Sequence, residues 1–164
     1  MHPEIVRRAP GHCPICGMAL EPMLPSAGDD EVPELRDFSR RFWWTLPLTV
    51  ATLALAMLGH RVEILTPGQR SWLELALAAP VVLWAARPFF ARWAESVATR
   101  NPNMWTLIGT GVGAAFIYSV AGTVAPGWFP EVFREHGRVG VYYEAAAVIV
   151  SLTLLGQILE LKAR

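Results

Sequence analysis

The sequence predicts an all-α membrane protein with four transmembrane helices and a small N-terminal metal-knuckle segment. Of the 164 residues, 53% are hydrophobic and only 17% charged, a more apolar balance than soluble domains carry. The apolar residues collect in four stretches, Phe42–Gly59, Trp72–Phe90, Trp105–Ala125 and Val141–Leu161. Each is close to the ~20 residues that cross ~30 Å of hydrocarbon. The two cysteines, Cys13 and Cys16, lie together ahead of the first stretch.

Residues 1–24 form the head. Cys13-Pro14-Ile15-Cys16-Gly17 sets two thiols on one tight turn, where both sulfurs can reach a single soft ion. That is half a tetrahedral site, and the candidates for the other half are His2, His12, Met1, Met18 and Met23. Thiolate with thioether favours Cu(I), with Zn(II) or Ag(I) as alternatives at the head. A redox dithiol is a further use of such a pair, but it expects a strand–helix setting that this segment lacks. So short a head cannot bury a core, so it is held by a metal, by a partner, or not at all.

Residues 25–41 mix turn formers with an acidic run and read as a linker. The first apolar stretch starts some forty residues in and is too long for a signal-peptide core, so the N-terminus is expected to be translated and kept.

The four helices are placed at 42–60, 72–93, 104–125 and 141–161, with Trp43, Trp44, Trp72, Trp93, Trp105 and Trp128 at their ends as interfacial anchors. With a cytoplasmic N-terminus, ten basic residues fall inside and four outside, so both termini are expected on the cytoplasmic face of the cell membrane. His60 and His136 then sit in outer loops and read as surface residues. A formal net charge of zero offers no strong basic field for a nucleic acid.

The end of the second helix, Trp84-Ala85-Ala86-Arg87-Pro88-Phe89-Phe90-Ala91-Arg92-Trp93, contains a proline that removes a backbone hydrogen bond and invites a kink. Beyond it arginines alternate with aromatics, a pattern for a segment lying along the interface with its charge toward water. The third helix carries Gly109, Gly111 and Gly113, small residues that allow close helix packing. The fourth carries Glu144 and Glu160, and an acid inside a bilayer needs a partner or a function. Sixteen residues apart, they are separated by ~24 Å of rise and roughly 160° of rotation, and read as stations at two ends of a path. Met104 starts the third helix at the membrane level of Glu160, and the two could face one incoming soft cation.

These residues resemble the heavy-metal P-type ATPases, specifically copper exporters with a short Cys/His head. The resemblance rests on Met1-His2-Pro3-Glu4-Ile5, His12-Cys13-Pro14-Ile15-Cys16-Gly17-Met18, Pro88-Phe89-Phe90, Asn103-Met104, and Tyr143-Glu144-Ala145-Ala146 with Leu159-Glu160-Leu161-Lys162. It covers nearly the whole chain. The Cys-Pro that usually precedes the head is either missing or upstream of Met1, and the usual Gly-Gly of the kink is replaced by Ala85-Ala86.

The resemblance implies that the first two helices are a subclass-specific pair and the next two the start of a shared transport core. It implies that Met104 and Glu160 belong to the cytoplasmic entrance site for Cu(I), that Glu144 belongs to the release route, and that Arg87, Arg92 and Arg100 form a docking platform for a copper chaperone. The sequence contains no Thr-Gly-Glu, Cys-Pro-Cys or Asp-Lys-Thr-Gly-Thr segment. ATP and Mg²⁺ would therefore act only together with the remaining domains of an ATPase, and this stretch is not expected to be catalytic alone. The rival reading is a stand-alone, non-enzymatic membrane protein that binds or senses metal.

Overall fold

The computed structural model describes residues 5–6, 13, 20, 33–58, 66–135 and 138–163. The architecture is all-α. Helix α1 spans Pro33–Leu58, starting inside the stretch whose composition suggests a linker. Proline is well placed at a helix start, and Asp37 pairs with Arg40 at 2.9 Å and Arg41 at 2.7 Å, one helical turn on. These polar turns extend the helix beyond its apolar portion.

Helix α2 spans Pro67–Pro80. Thr66 caps it, accepting from the Gln69 N–H while the Gln69 side chain accepts from the Thr66 N–H, with Pro67 in the first turn. This signature starts α2 five residues before the apolar stretch. Pro80 withholds a helical N–H, and the next turn, Val81–Ala85, is a π-helix closed by a bond from the Ala86 N–H to the Val81 carbonyl.

Helix α3, Arg87–Ala98, then leaves at 59° to the segment before it. Ala86 turns the chain with φ −79° and ψ 0°, angles open to any L residue, which is why the kink forms without glycine. Pro88 offers no N–H to the Trp84 carbonyl four residues back, and the Arg41 guanidinium of α1 donates to that carbonyl at 2.7 Å.

Helix α4, Met104–Val124, follows a short turn. After two 3₁₀ turns, Pro126–Trp128 and Glu131–Phe133, strands β1 (Arg134–Glu135) and β2 (Arg138–Val139) pair as an antiparallel ribbon. Helix α5, Tyr143–Lys162, closes the described fold. By length and apolarity α1, α4 and α5 can each cross a membrane, and the bent α2–α3 pair counts as the fourth crossing if it is one broken span.

Helix α5 lies at the centre. Tyr143, Ala146, Ala147, Val150, Leu154 and Ile158 recur at helical spacing on one buried face, packed among α1, α4 and the π turn. Helix α1 packs closely on it, with Thr45, Thr49 and Thr52 buried, and the Thr49 and Ser151 hydroxyls bond across at 2.7 Å. Trp43, Met57, Leu107, Ile117 and Leu152 are exposed on the outside, as lipid-facing residues are.

Of the helix α4 glycines, Gly109 is pressed hardest against a neighbour: a Cβ there would lie 2.5 Å from the Trp93 ring of α3, against 3.1 Å from Val139 at Gly122. Gly111 has open space around it. Gly109→Ala is therefore expected to destabilise the chain by about 1–3 kcal/mol, through overpacking. Gly111→Ala is expected to be neutral or slightly stabilising, and thermal unfolding of the two variants in detergent checks the contrast.

Candidate metal site

Among the head residues, Cys13 is described and is buried. His2, His12, Cys16 and Met18 lie outside the described residues. Among the described residues no three His, Cys, Asp or Glu side chains converge as a metal-holding group. The sites that can be built up here are the two ends of α5.

At one end stands Met104, the first residue of α4. Its place is set by Asn103, whose side-chain oxygen accepts from the Trp105 and Thr106 N–H groups at 2.9 and 3.3 Å, while the Thr106 hydroxyl accepts from the Asn103 N–H at 3.0 Å. Thr106 also bonds Ser96 of α3 at 2.6 Å, tying α3 to the start of α4. Met104 itself is 57% exposed, so its thioether is accessible.

Glu160 sits in the last turn of α5, part-buried, with one carboxylate oxygen accepting from the Gln157 amide at 3.0 Å. The other end of that amide accepts from Arg92 of α3 at 3.1 Å, and Arg92 also donates to Glu34 of α1. The Arg92 guanidinium lies 4.7 Å over the Trp105 ring and 5.6 Å from that of Phe38. Met104 and Glu160 therefore share one end of the bundle, linked through Trp105, Arg92 and Gln157.

The three arginines expected to form a platform, Arg87, Arg92 and Arg100, are not alike. Arg87 and Arg100 are exposed. Arg92, expected from its pattern to face water, has a side chain only 10% exposed and turned into the bundle, because Glu34, Gln157 and two ring faces attract it inward. Arg100 adopts φ 55° where α3 ends, and the Asn101 N–H reaches back to the Ser96 carbonyl at 3.1 Å. Glycine is the usual residue there.

Glu144 lies in the first turn of α5, at the opposite end from Glu160. Its neighbour Tyr143 is fully buried and shares a hydrogen bond of 2.9 Å with Thr123 of α4, and the Tyr142 N–H donates to Ser119 at 2.7 Å. These bonds fix where α5 begins.

Three functional groupings escape the sequence reading. Glu74 lies inside the second apolar stretch, buried and paired with Arg70 at 2.9 Å, while Arg70 also donates to the Ala56 carbonyl of α1 at 2.6 Å. The reasoning that singles out Glu144 and Glu160 applies to Glu74 equally and is enough to find it. The contacts of Arg41 with Trp84 and of Gln157 with Arg92 join distant parts of the chain, and no local pattern signals them.

Residues 1–23 match the family described as heavy metal binding domain. Along its full length the chain is 57% identical to a copper-transporting P-type ATPase of Rhizobium leguminosarum bv. viciae, covering 20% of that protein. It is 52% identical, again over its full length, to a silver exporting P-type ATPase of Salmonella typhimurium and to a copper-exporting P-type ATPase of Legionella pneumophila, covering 20% and 23% of them. The chain is homologous to the N-terminal fifth of copper- and silver-exporting P-type ATPases. It spans about a fifth of the length of the relatives it matches. In this chain the stretch that matches the heavy metal binding domain precedes the helices of membrane-spanning length.

Removing one member of a buried ion pair leaves the other charge uncompensated. Glu74→Ala is expected to destabilise the segment on the order of 3–5 kcal/mol. Combining Arg70→Met with Glu74→Leu should recover most of that loss, as read from thermal unfolding in detergent.

Proposed function

We propose that this chain supplies the metal-binding head, the chaperone-docking platform and the first and last stations of a Cu(I) path to an ATP-driven copper exporter. The observation that supports the reading is that Met104 and Glu160 lie at the same end of the bundle, where α3 lies, while Glu144 stands at the other end of α5. Met104 and Glu160 serve as the entrance site: a thioether suits a soft monovalent ion, and a carboxylate supplies the charge that ion lacks in the bilayer. Glu144 serves on the release side.

The head takes Cu(I) through Cys13 and Cys16, with His2, His12 and Met18 as further donors, and its chemistry also admits Ag(I) or Zn(II). The surface helix α3 is the platform. Arg87 and Arg100 present positive charge from its two ends, where an acidic copper chaperone can be steered and held. Holding Arg100 in the left-handed region costs about 1–3 kcal/mol, and a docking role is a reason for keeping arginine there. Both termini face the cytoplasm, and the remaining domains of the ATPase supply ATP hydrolysis with Mg²⁺.

Two experiments test this reading. Cys13→Ser with Cys16→Ser is expected to remove Cu(I) from the head without disturbing membrane insertion, and an unchanged Cu(I) stoichiometry in a chelator competition would sink the ligand assignment. In the complete ATPase, Met104→Ala and Glu160→Gln should each raise the Cu(I) concentration for half-maximal ATPase activation by about tenfold, which is ~1.4 kcal/mol. Normal activation in both would refute the entrance site.

A further inference from the structure

We propose that Arg92 is a positioning residue for the Glu160 carboxylate, acting through Gln157, rather than part of the chaperone-docking face. The inference rests on the assignment of Glu160 to the entrance site. Its side chain is 10% exposed, which leaves little of it for a partner arriving on the surface of α3. What it touches lies on three other helices: Glu34 on α1, Trp105 on α4 and Gln157 on α5.

The chemistry of the chain Arg92–Gln157–Glu160 runs in one direction. A guanidinium has only donors, so it draws the oxygen of the Gln157 amide toward itself. The amide NH₂ is then left facing Glu160, to which it donates at 3.0 Å. Were the amide turned round, its NH₂ would face the guanidinium and its oxygen would face the carboxylate, and both bonds would be lost. Arg92 thereby decides which face of Gln157 meets Glu160. The planar fork matters here, since one nitrogen serves Gln157 while another serves Glu34 and the plane covers the Trp105 ring.

Groups that orient a metal ligand without touching the metal commonly change affinity by about 10–100-fold when removed. The same contacts make α3 and the end of α5 one mechanical unit, so a partner docked on α3 bears on the residue that receives the ion. Among the described residues, no other arginine bridges α3 to α5.

The test uses the complete ATPase in proteoliposomes, with Cu(I) supplied in two ways: buffered by a small chelator, or loaded on a chaperone. Arg92→Met and Gln157→Leu are each expected to raise the half-activating concentration of chelator-buffered Cu(I) by about tenfold. The double variant should be no worse than either single one, and turnover at saturating Cu(I) should stay within about twofold. Arg92→Lys, which keeps the charge but not the fork, should fall between Arg92→Met and the parent. Glu131→Gln, exposed in the loop between α4 and α5, serves as control and should leave both modes unchanged.

Three results overturn the proposal. Arg92→Met could impair only chaperone-delivered copper, which would make Arg92 a docking residue. It could lower the melting temperature and saturating turnover with unchanged half-activation, which would make its role purely structural. The effects of Arg92→Met and Gln157→Leu could add fully, which would make them independent. If Arg92→Met does not fold, Gln157→Leu still decides, because an unchanged response to buffered Cu(I) in it overturns the proposal. Normal activation in Glu160→Gln, by contrast, locates the failure in the entrance-site reading itself.

Discussion

In hydrocarbon a polar group finds its partner inside the protein or stays unpaired at a cost of several kcal/mol. The helices of this chain are joined where that demand is met. Pro88 strips the Trp84 carbonyl of its helical donor, and Arg41 of α1 supplies another. Arg70 of α2 donates to the Ala56 carbonyl near the end of α1 and pairs with Glu74. Thr49 and Ser151 join α1 to α5, and Ser119 of α4 accepts from the N–H of Tyr142 at the start of α5. Apolar packing gives little preference for one helix neighbour over lipid, so these bonds select the arrangement.

The bend before α3 shows how a local defect sets the course of a whole helix. Pro80 and Pro88 bracket the π turn, and each deletes a backbone donor. The resulting 59° change of direction carries α3 away from the axis of α2. Once turned, α3 is pinned from beneath: Phe89 stacks on Trp105 at 5.4 Å, Trp93 lies against Gly109, and Ser96 bonds Thr106. Arg87 and Arg100 are left outside, one at each end of the helix, and Arg92 is taken in.

Much of the bundle was legible in the sequence because length and apolarity are nearly sufficient for a crossing. The kink was legible from Pro88. The starts of α1 and α2 were not found, since both run past the hydrocarbon into polar turns: the Asp37 pairs extend α1, and the Thr66–Gln69 box extends α2. The latter carries a recognisable capping pattern, whereas the former is indistinguishable in composition from a linker. Glu160 and Glu144 stood out as acids in apolar stretches, yet Glu74 did not, although the same rule covers it. The inward turn of Arg92 had no local signal at all. Arginines and aromatics in alternation describe an interfacial helix equally well whichever arginine faces in, and the choice depends on Glu34 and Gln157, respectively 58 and 65 residues away in the chain.

That dependence bears on how charge can be kept near the proposed entrance site. A fixed guanidinium close to Glu160 repels an arriving monovalent cation, so its presence needs a compensating use. Glu34 offsets the positive charge, and the faces of Trp105 and Phe38 spread it over apolar surface. What remains is directional: a donor held in one place, which orients Gln157 and, through it, a carboxylate oxygen of Glu160. A lysine would leave a compact point charge with a similar repulsion and less control over direction. Geometry rather than charge is therefore what arginine contributes at this position, and its neutralisation by Glu34 is what makes that contribution compatible with the entrance site proposed at Glu160.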